Sequence, residues 1–257
     1  MKPSPRADQK GPPTPFPGVG PVFGLAMGPG AGLEDGLMRD RIQAVLRQLA
    51  QSPDMEARWL HTLSLMEFIG ARKISRTVAD RHPTLEVLGH LADETRHAFA
   101  FKRLSAEVAG AEITTFLCPE AAGRYFQALD HELATWATSF TGAPDVYLHY
   151  LLTTTAIERR AMVLYPLYKA ASRQPAVREE LGRVVTEEQS HRLTIEDACV
   201  ERLTAVGATL DAALALEERL FAAFIGELEA TVARESGAQA AFVPAPGEDV
   251  AARSQQG

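Results

Sequence analysis

Two short motifs restrict the folds open to this chain. Glu94-Thr95-Arg96-His97 and Glu188-Gln189-Ser190-His191 are the only places where one of its seven histidines stands three residues after a glutamate. Residues three apart share a helix face, so each Glu/His pair can point at one ion. A lone ExxH carries little weight, since glutamate is common on helices. Two of them on two long helical stretches carry more. Each is also preceded by another helical stretch with a glutamate among apolar residues: Glu67 in LSLMEFIGA and Glu158 in LLTTTAIERRAMVL.

Register makes the pattern restrictive. From Glu67 the chain runs roughly 12 residues to its turn, about 18 Å, and returns roughly 10 residues to Glu94, about 15 Å. From Glu158 it runs roughly 15 residues out, and returns roughly 13 to Glu188, about 22 Å against 20 Å. In two antiparallel hairpins, the glutamates of each pair lie level. If both pairs meet at mid-height, the second and third of these helices run parallel, and a short loop cannot join them. Residues 109–143, with a helix of their own, are long enough to cross. The expected fold is all-α: a four-helix bundle with a long crossover between the second and third bundle helices, plus flanking helices.

Periodicity supports this. Helices are expected near 35–51, 54–79, 84–108, 119–138, 144–173, 176–206 and 208–234, and no stretch alternates as a strand does. Ile42, Val45, Leu46 and Leu49 share one face of the first, and Asp54 is the expected cap of the second. Leu88, Leu91, Ala98 and Phe101 mark a buried face on the third, and Met66, Phe68, Phe101 and Met162 are read as core. Residues 1–33 are Pro/Gly-rich and read as a flexible arm without a signal-peptide core. Residues 34–234 form the helical domain, with its metal-binding core at 54–206, and 235–257 read as a flexible tail.

Composition narrows the function. The formal net charge is -7 with a pI near 5.6, which disfavours nucleic acid as a partner. Cys118 and Cys199 are the only cysteines and form no CxxC pair, which excludes a cysteine-rich zinc or iron centre. No apolar run reaches membrane-spanning length, and a cytoplasmic setting is the default expectation. Four glutamates in an apolar core need compensation, because a buried unpaired carboxylate costs several kcal/mol or takes up a proton. Two divalent cations would supply it. Four carboxylates and two imidazoles suit iron or manganese better than a closed zinc site. Glu94 and Glu188 are the expected bridges, Glu67 and Glu158 the ligands at the two ends, and His97 and His191 the imidazole ligands. His90, one turn before Glu94, is read as structural, with lining the site as the alternative. Thr155 and Tyr165 share the face of Glu158 and are read as packing. Arg72, Lys73 and Arg76 are read as a solvated face.

The order Glu, ExxH, Glu, ExxH over roughly residues 54–206 resembles the ferritin-like di-iron carboxylate proteins. Glu67 followed by Asp93-Glu94-Thr95-Arg96-His97 is similar to the Glu…DExRH pattern of their oxygen-activating branch. The resemblance implies that Asp93 accepts from a ligand histidine's other N–H and that Arg96 pairs with such an acid, in keeping with the need to orient a ligating imidazole. The second half departs from the pattern, with Glu187 for Asp and Ser190 for Arg; Glu187 takes the same role with a longer reach. Phe101 stands where the ribonucleotide reductase subunit carries its radical tyrosine, so no stored tyrosyl radical is expected there.

The implied function is a di-iron oxidoreductase that uses O2 to oxidise a small organic substrate, with an apolar one as the class considered. Two iron ions are the expected cofactor, with manganese or a mixed pair as alternatives. The chain has no flavin, nicotinamide or iron–sulfur motif, so electrons are expected from an external donor; a homodimer is compatible with all of this. Ferroxidase or iron-handling activity, a rubrerythrin-like peroxidase, and a non-catalytic metal-stabilised helical protein are the competing readings.

Overall fold

The computed structural model describes residues 31–78 and 83–241. Residues 1–30, which make up most of the expected arm, 79–82 and 242–257 lie outside the described residues. Among these there are seven helices and no strand: α1 (Ala31–Leu49), α2 (Pro53–Val78), α3 (Leu85–Ala109), α4 (Pro119–Thr141), α5 (Val146–Ala171), α6 (Pro175–Ala205) and α7 (Leu210–Ala241). None of them is long and apolar enough to cross a membrane.

Local chemistry sets the helix ends. Thr84 Oγ1 accepts from the Val87 amide and Asp145 Oδ1 from the Leu148 amide, satisfying donors that have no partner within the first turn. Proline stands at the start of α2, α4 and α6, where its missing N–H costs nothing. Gly110 (φ 74°) and Gly142 (φ 69°) end α3 and α4 in the left-handed conformation that a Cβ disfavours. At the start of α2 the expectation needs correction. Ser52 Oγ accepts from the Met55 amide at 3.4 Å, while Asp54 lies inside the first turn.

Packing is dominated by two helix pairs, α2 on α3 and α5 on α6; α3 also touches α6, and α2 touches α5. These four helices therefore form a closed ring of contacts. The segment after α3 is tied to α2: Arg58 donates to the Phe116 carbonyl, and Thr62 Oγ1 both donates to the Leu117 carbonyl and accepts the Leu117 amide. From there α4 packs against α7, α5 and α2, and α1 packs against α5 and α7. The apolar core is continuous through Trp59, Leu63, Phe101, Leu104, Phe221 and Phe224. Burial of this kind contributes about 25 cal/mol per Å² of apolar surface.

The expected face of α1 is buried, but Leu88 is 46% and Phe68 51% exposed. Both project away from the faces that carry Glu94 and Glu67, so the apolar context misled there. The last helix does not stop near 234. Arg58 forms an ion pair with Glu235 at 2.6 Å, and Gln48 donates to Ser236, so side chains read as tail are packed on α1 and α2.

Candidate metal centre

Every acidic or histidine residue expected at the centre lies on α2, α3, α5 or α6, the four mutually contacting helices. His90, Glu94 and His97 recur at helical spacing along the buried face of α3. Glu67 lies on α2, Glu158 on α5, and Glu188 and His191 on α6. All of these except His191 are buried, and His191 is partly so.

The side chains gather into two groups of metal-binding size. Glu67, His97 and Glu188 bring one ligand atom each within 4.8 Å of one another, and so do His90, Glu158 and His191. In the first, His97 Nδ1 lies 3.1 Å from Glu188 Oε1 and 4.0 Å from Glu67 Oε2. In the second, His90 Nε2 lies 3.5 Å from Glu158 Oε1. Glu94 links the two groups. Its Oε1 is 3.0 Å from His90 Nε2, and its charge adds to burial in raising Glu67 well above the usual carboxylate range. Tyr165 donates to Glu67 from the far side, a polar role that the packing expectation missed.

The outer ring nitrogens are held by acids from the opposite helix pair. His97 Nε2 is 2.8 Å from Glu187 on α6, and His191 Nε2 is 2.8 Å from Asp93 on α3. Arg96, about half exposed, joins both acids, donating to Asp93 at 2.5 Å and Glu187 at 2.8 Å. Burial opposes ionisation of Asp93 and Glu187. Hydrogen bonds from Arg96 and the histidines nevertheless hold both below the usual carboxylate range. With a carboxylate on Nε2, each histidine turns Nδ1 inward.

The inward atoms have the electrostatics of a cation site. Both oxygens of Glu158, and Nδ1 of His97 and of His191, are buried without a hydrogen-bond partner. Burial, followed by the charges of Glu188 and Glu94, pushes Glu158 up to about 10. Burial and the charge of Glu188 push Glu94 up to about 7. Burial disfavours a charged His97, but the Glu188 carboxylate 3.1 Å from Nδ1 and the charge of Glu67 win and raise it to about 10. A buried carboxylate with neither oxygen satisfied is expensive as an anion. A divalent cation among these atoms removes that penalty, so the donor set fits a metal pair.

Gly70 shows how closely the helices are fitted. A Cβ there would stand 2.9 Å from Glu94 Oε2. Alanine in mid-helix normally gains about 0.5–1 kcal/mol over glycine. In Gly70→Ala that gain is offset by displacement of the Glu94 carboxylate. Thermal melting of the metal-free variant should stay within about 1 kcal/mol of the parent, while metal affinity drops. Unchanged affinity would show that the position of Glu94 is irrelevant to binding.

A cavity of about 80 Å³, several times what one water needs, opens beside the carboxylates. Glu67, Glu94, His90 and Glu158 form its inner wall, and the rest mixes apolar side chains such as Met66, Ile157 and Leu164 with polar ones such as Thr153, Thr154 and Arg160. Its outer end carries Lys73, Asp130 and His149; Lys73 pairs with Asp130 at 2.5 Å and His149 Nε2 donates to the Asp130 carbonyl at 3.0 Å. Lys73 is thus tied to α4 rather than being part of a free solvated face.

Comparison with protein-family models, with curated proteins and with solved structures finds no match for this chain.

Proposed function

We propose that the chain is a ferritin-like four-helix bundle, α2, α3, α5 and α6 with α4 in the long crossover, that holds two iron ions and uses O2 to oxidise a small organic substrate. The observation that carries this reading is the pair of adjacent buried Glu/His groups linked by Glu94, with unsatisfied carboxylate and imidazole atoms directed between them. Glu67 and His97 would hold one ion and Glu158 and His191 the other, with Glu94 and Glu188 between them. When bound, an iron pair supplies O2 reduction and the oxidising power that side chains lack.

The chain's own residues provide the setting. Glu187, Asp93 and Arg96 fix the histidine rings from outside. Burial and the neighbouring carboxylates raise Glu67 and Glu158, so these groups hold protons in the metal-free fold. The cavity beside the carboxylates, with Met66, Ile157 and Leu164 in its wall, has room for a small organic substrate. That cavity is the reason to prefer an organic substrate over iron itself. Electrons would come from an external donor.

The test is to load the protein with ferrous iron under argon, count metal per chain, and mix with O2 while following absorbance and oxygen uptake. About two irons per chain, with oxygen consumed and a transient visible band, is the expected result. Fewer than one iron per chain, or a ferrous form inert to O2, would overturn it. Loading far beyond two irons would favour iron handling, and faster reaction with peroxide than with O2 a peroxidase.

A further inference from the structure

The dimetal reading assigns six ligands, yet the geometry at the second group contains one more imidazole. His90 is 3% exposed, one turn before Glu94 and two turns before His97 on the same face of α3. Its Nε2 reaches Glu94 Oε1 at 3.0 Å and Glu158 Oε1 at 3.5 Å, and its ring centre lies 5.2 Å from that of His191. A histidine buried for packing alone would not need to face two glutamates and a second histidine across three helices.

The other ring nitrogen decides what Nε2 can do. A neutral imidazole binds metal through the nitrogen without hydrogen, and its tautomer is set by the partner of the other. His90 Nδ1 lies 3.0 Å from the Tyr150 hydroxyl. In the metal-free fold Nε2 is placed to donate to Glu94 Oε1; when a metal ion takes the place of that proton, Nδ1–H donates to the Tyr150 oxygen and the Nε2 lone pair points between Glu94 and Glu158. His97 and His191 follow the same rule, each with one nitrogen on an oxygen acceptor and the other facing inward. The difference is the acceptor: a phenol for His90, carboxylates for the other two. A neutral acceptor makes His90 the least electron-rich of the three, and its position on the cavity wall makes it the one nearest an entering molecule.

We propose that His90 is a seventh ligand, binding a divalent first-row metal ion through Nε2 together with Glu158 and His191. The pair of metal positions is then unequal: one imidazole at the Glu67 position, two at the Glu158 position. Tyr150 is a positioning residue that acts through His90. The proposal rests on the dimetal reading and adds to it an asymmetry that the six-ligand set lacks.

The test uses the full-length chain and ferrous iron enriched in the Mössbauer isotope, added under argon. The parent should bind two ions and give two distinct quadrupole doublets. His90→Gln should keep its apo helical content and one tight ion, and lose affinity for the second about tenfold to a hundredfold, with only one doublet changed. In His90→Gly, added imidazole should restore the second ion and its doublet. Tyr150→Phe should weaken the second ion less than His90→Gln does. A parent that fails to bind a pair would remove the dimetal reading itself. A parent with two ions whose spectrum and affinities are unaltered by His90→Gln, or a His90→Gly protein on which imidazole has no effect, would overturn the seventh ligand alone.

Discussion

Glu94→Ala should take bound iron from about two per chain to one or fewer, the largest loss expected of any single substitution. Its carboxylate lies 3.0 Å from His90 Nε2 of one trio and acts electrostatically on Glu67 of the other. Removing an end ligand such as Glu158 leaves the other ion its three groups; removing Glu94 takes an oxygen from both. Glu94→Gln is the stricter variant, because it keeps the volume and most hydrogen bonding but cannot supply a bridging anion. Asp93→Asn is the control: it leaves every inward ligand in place and should keep two ions at about tenfold to a hundredfold lower affinity. Stability gives a second readout. A ligand at about a thousand times its dissociation constant stabilises by about 4 kcal/mol, worth about 10 °C in a chain of this size. Iron should therefore raise the melting temperature of the parent by that order and of Glu94→Ala by far less. Equal iron content in parent and variant, with equal thermal shifts, would remove Glu94 from the site.

The sequence carried more of this arrangement than of its details. Counting residues to each turn placed Glu67 level with Glu94 and Glu158 level with Glu188, because helical rise is constant whatever the tertiary context. The same arithmetic called for a long segment between α3 and α5, where α4 lies. Rotation about the helix axes was not legible in that way. That Glu187 serves His97 and Asp93 serves His191 depends on how α3 and α6 face each other. A longer glutamate reaching the opposite helix has no signature in its own spacing. His90 did have one: with Glu94 and His97 it forms an i, i+4, i+7 row on one face. Its partners, Tyr150 and Glu158, come from α5, so the row alone could not distinguish a ligand from a packed histidine. The end of α7 was missed for a similar reason. Its last turns have no apolar stripe, and polar pairs such as Arg58 with Glu235 hold them instead.

Metal-free and metal-loaded protein should respond to pH in opposite directions between about pH 7 and about pH 8.5. In the metal-free fold Glu158 is raised from 4.5 to about 10, by burial and then by Glu188 and Glu94. His97 is raised from 6.5 to about 10 against its burial, by Glu188 and Glu67. Across this window the folded chain therefore holds at least these two protons that the unfolded chain has released, and Glu67, also raised well above the usual carboxylate range, adds to the same sign. Stability falls as pH rises, by about 1.4 kcal/mol per pH unit for each proton. His90 is lowered, chiefly by burial, so its opposing contribution is complete once pH has passed 6.5 and does not enter. A bound metal reverses the sign, because it displaces those protons and gains affinity as pH rises. Melting curves with chelator should thus fall by several degrees over the range, while curves with excess manganous ion, chosen because it resists oxidation, should hold level or rise. Glu158→Gln removes one of these protons and should make the metal-free slope shallower by about 1.4 kcal/mol per pH unit, giving a variant that is less sensitive to alkali yet unable to fill its second position. A metal-free melting temperature that stays flat or climbs from about pH 7 to about pH 8.5 would mean that these carboxylates and imidazoles are not held together in the folded chain, and the paired site would fall with that result.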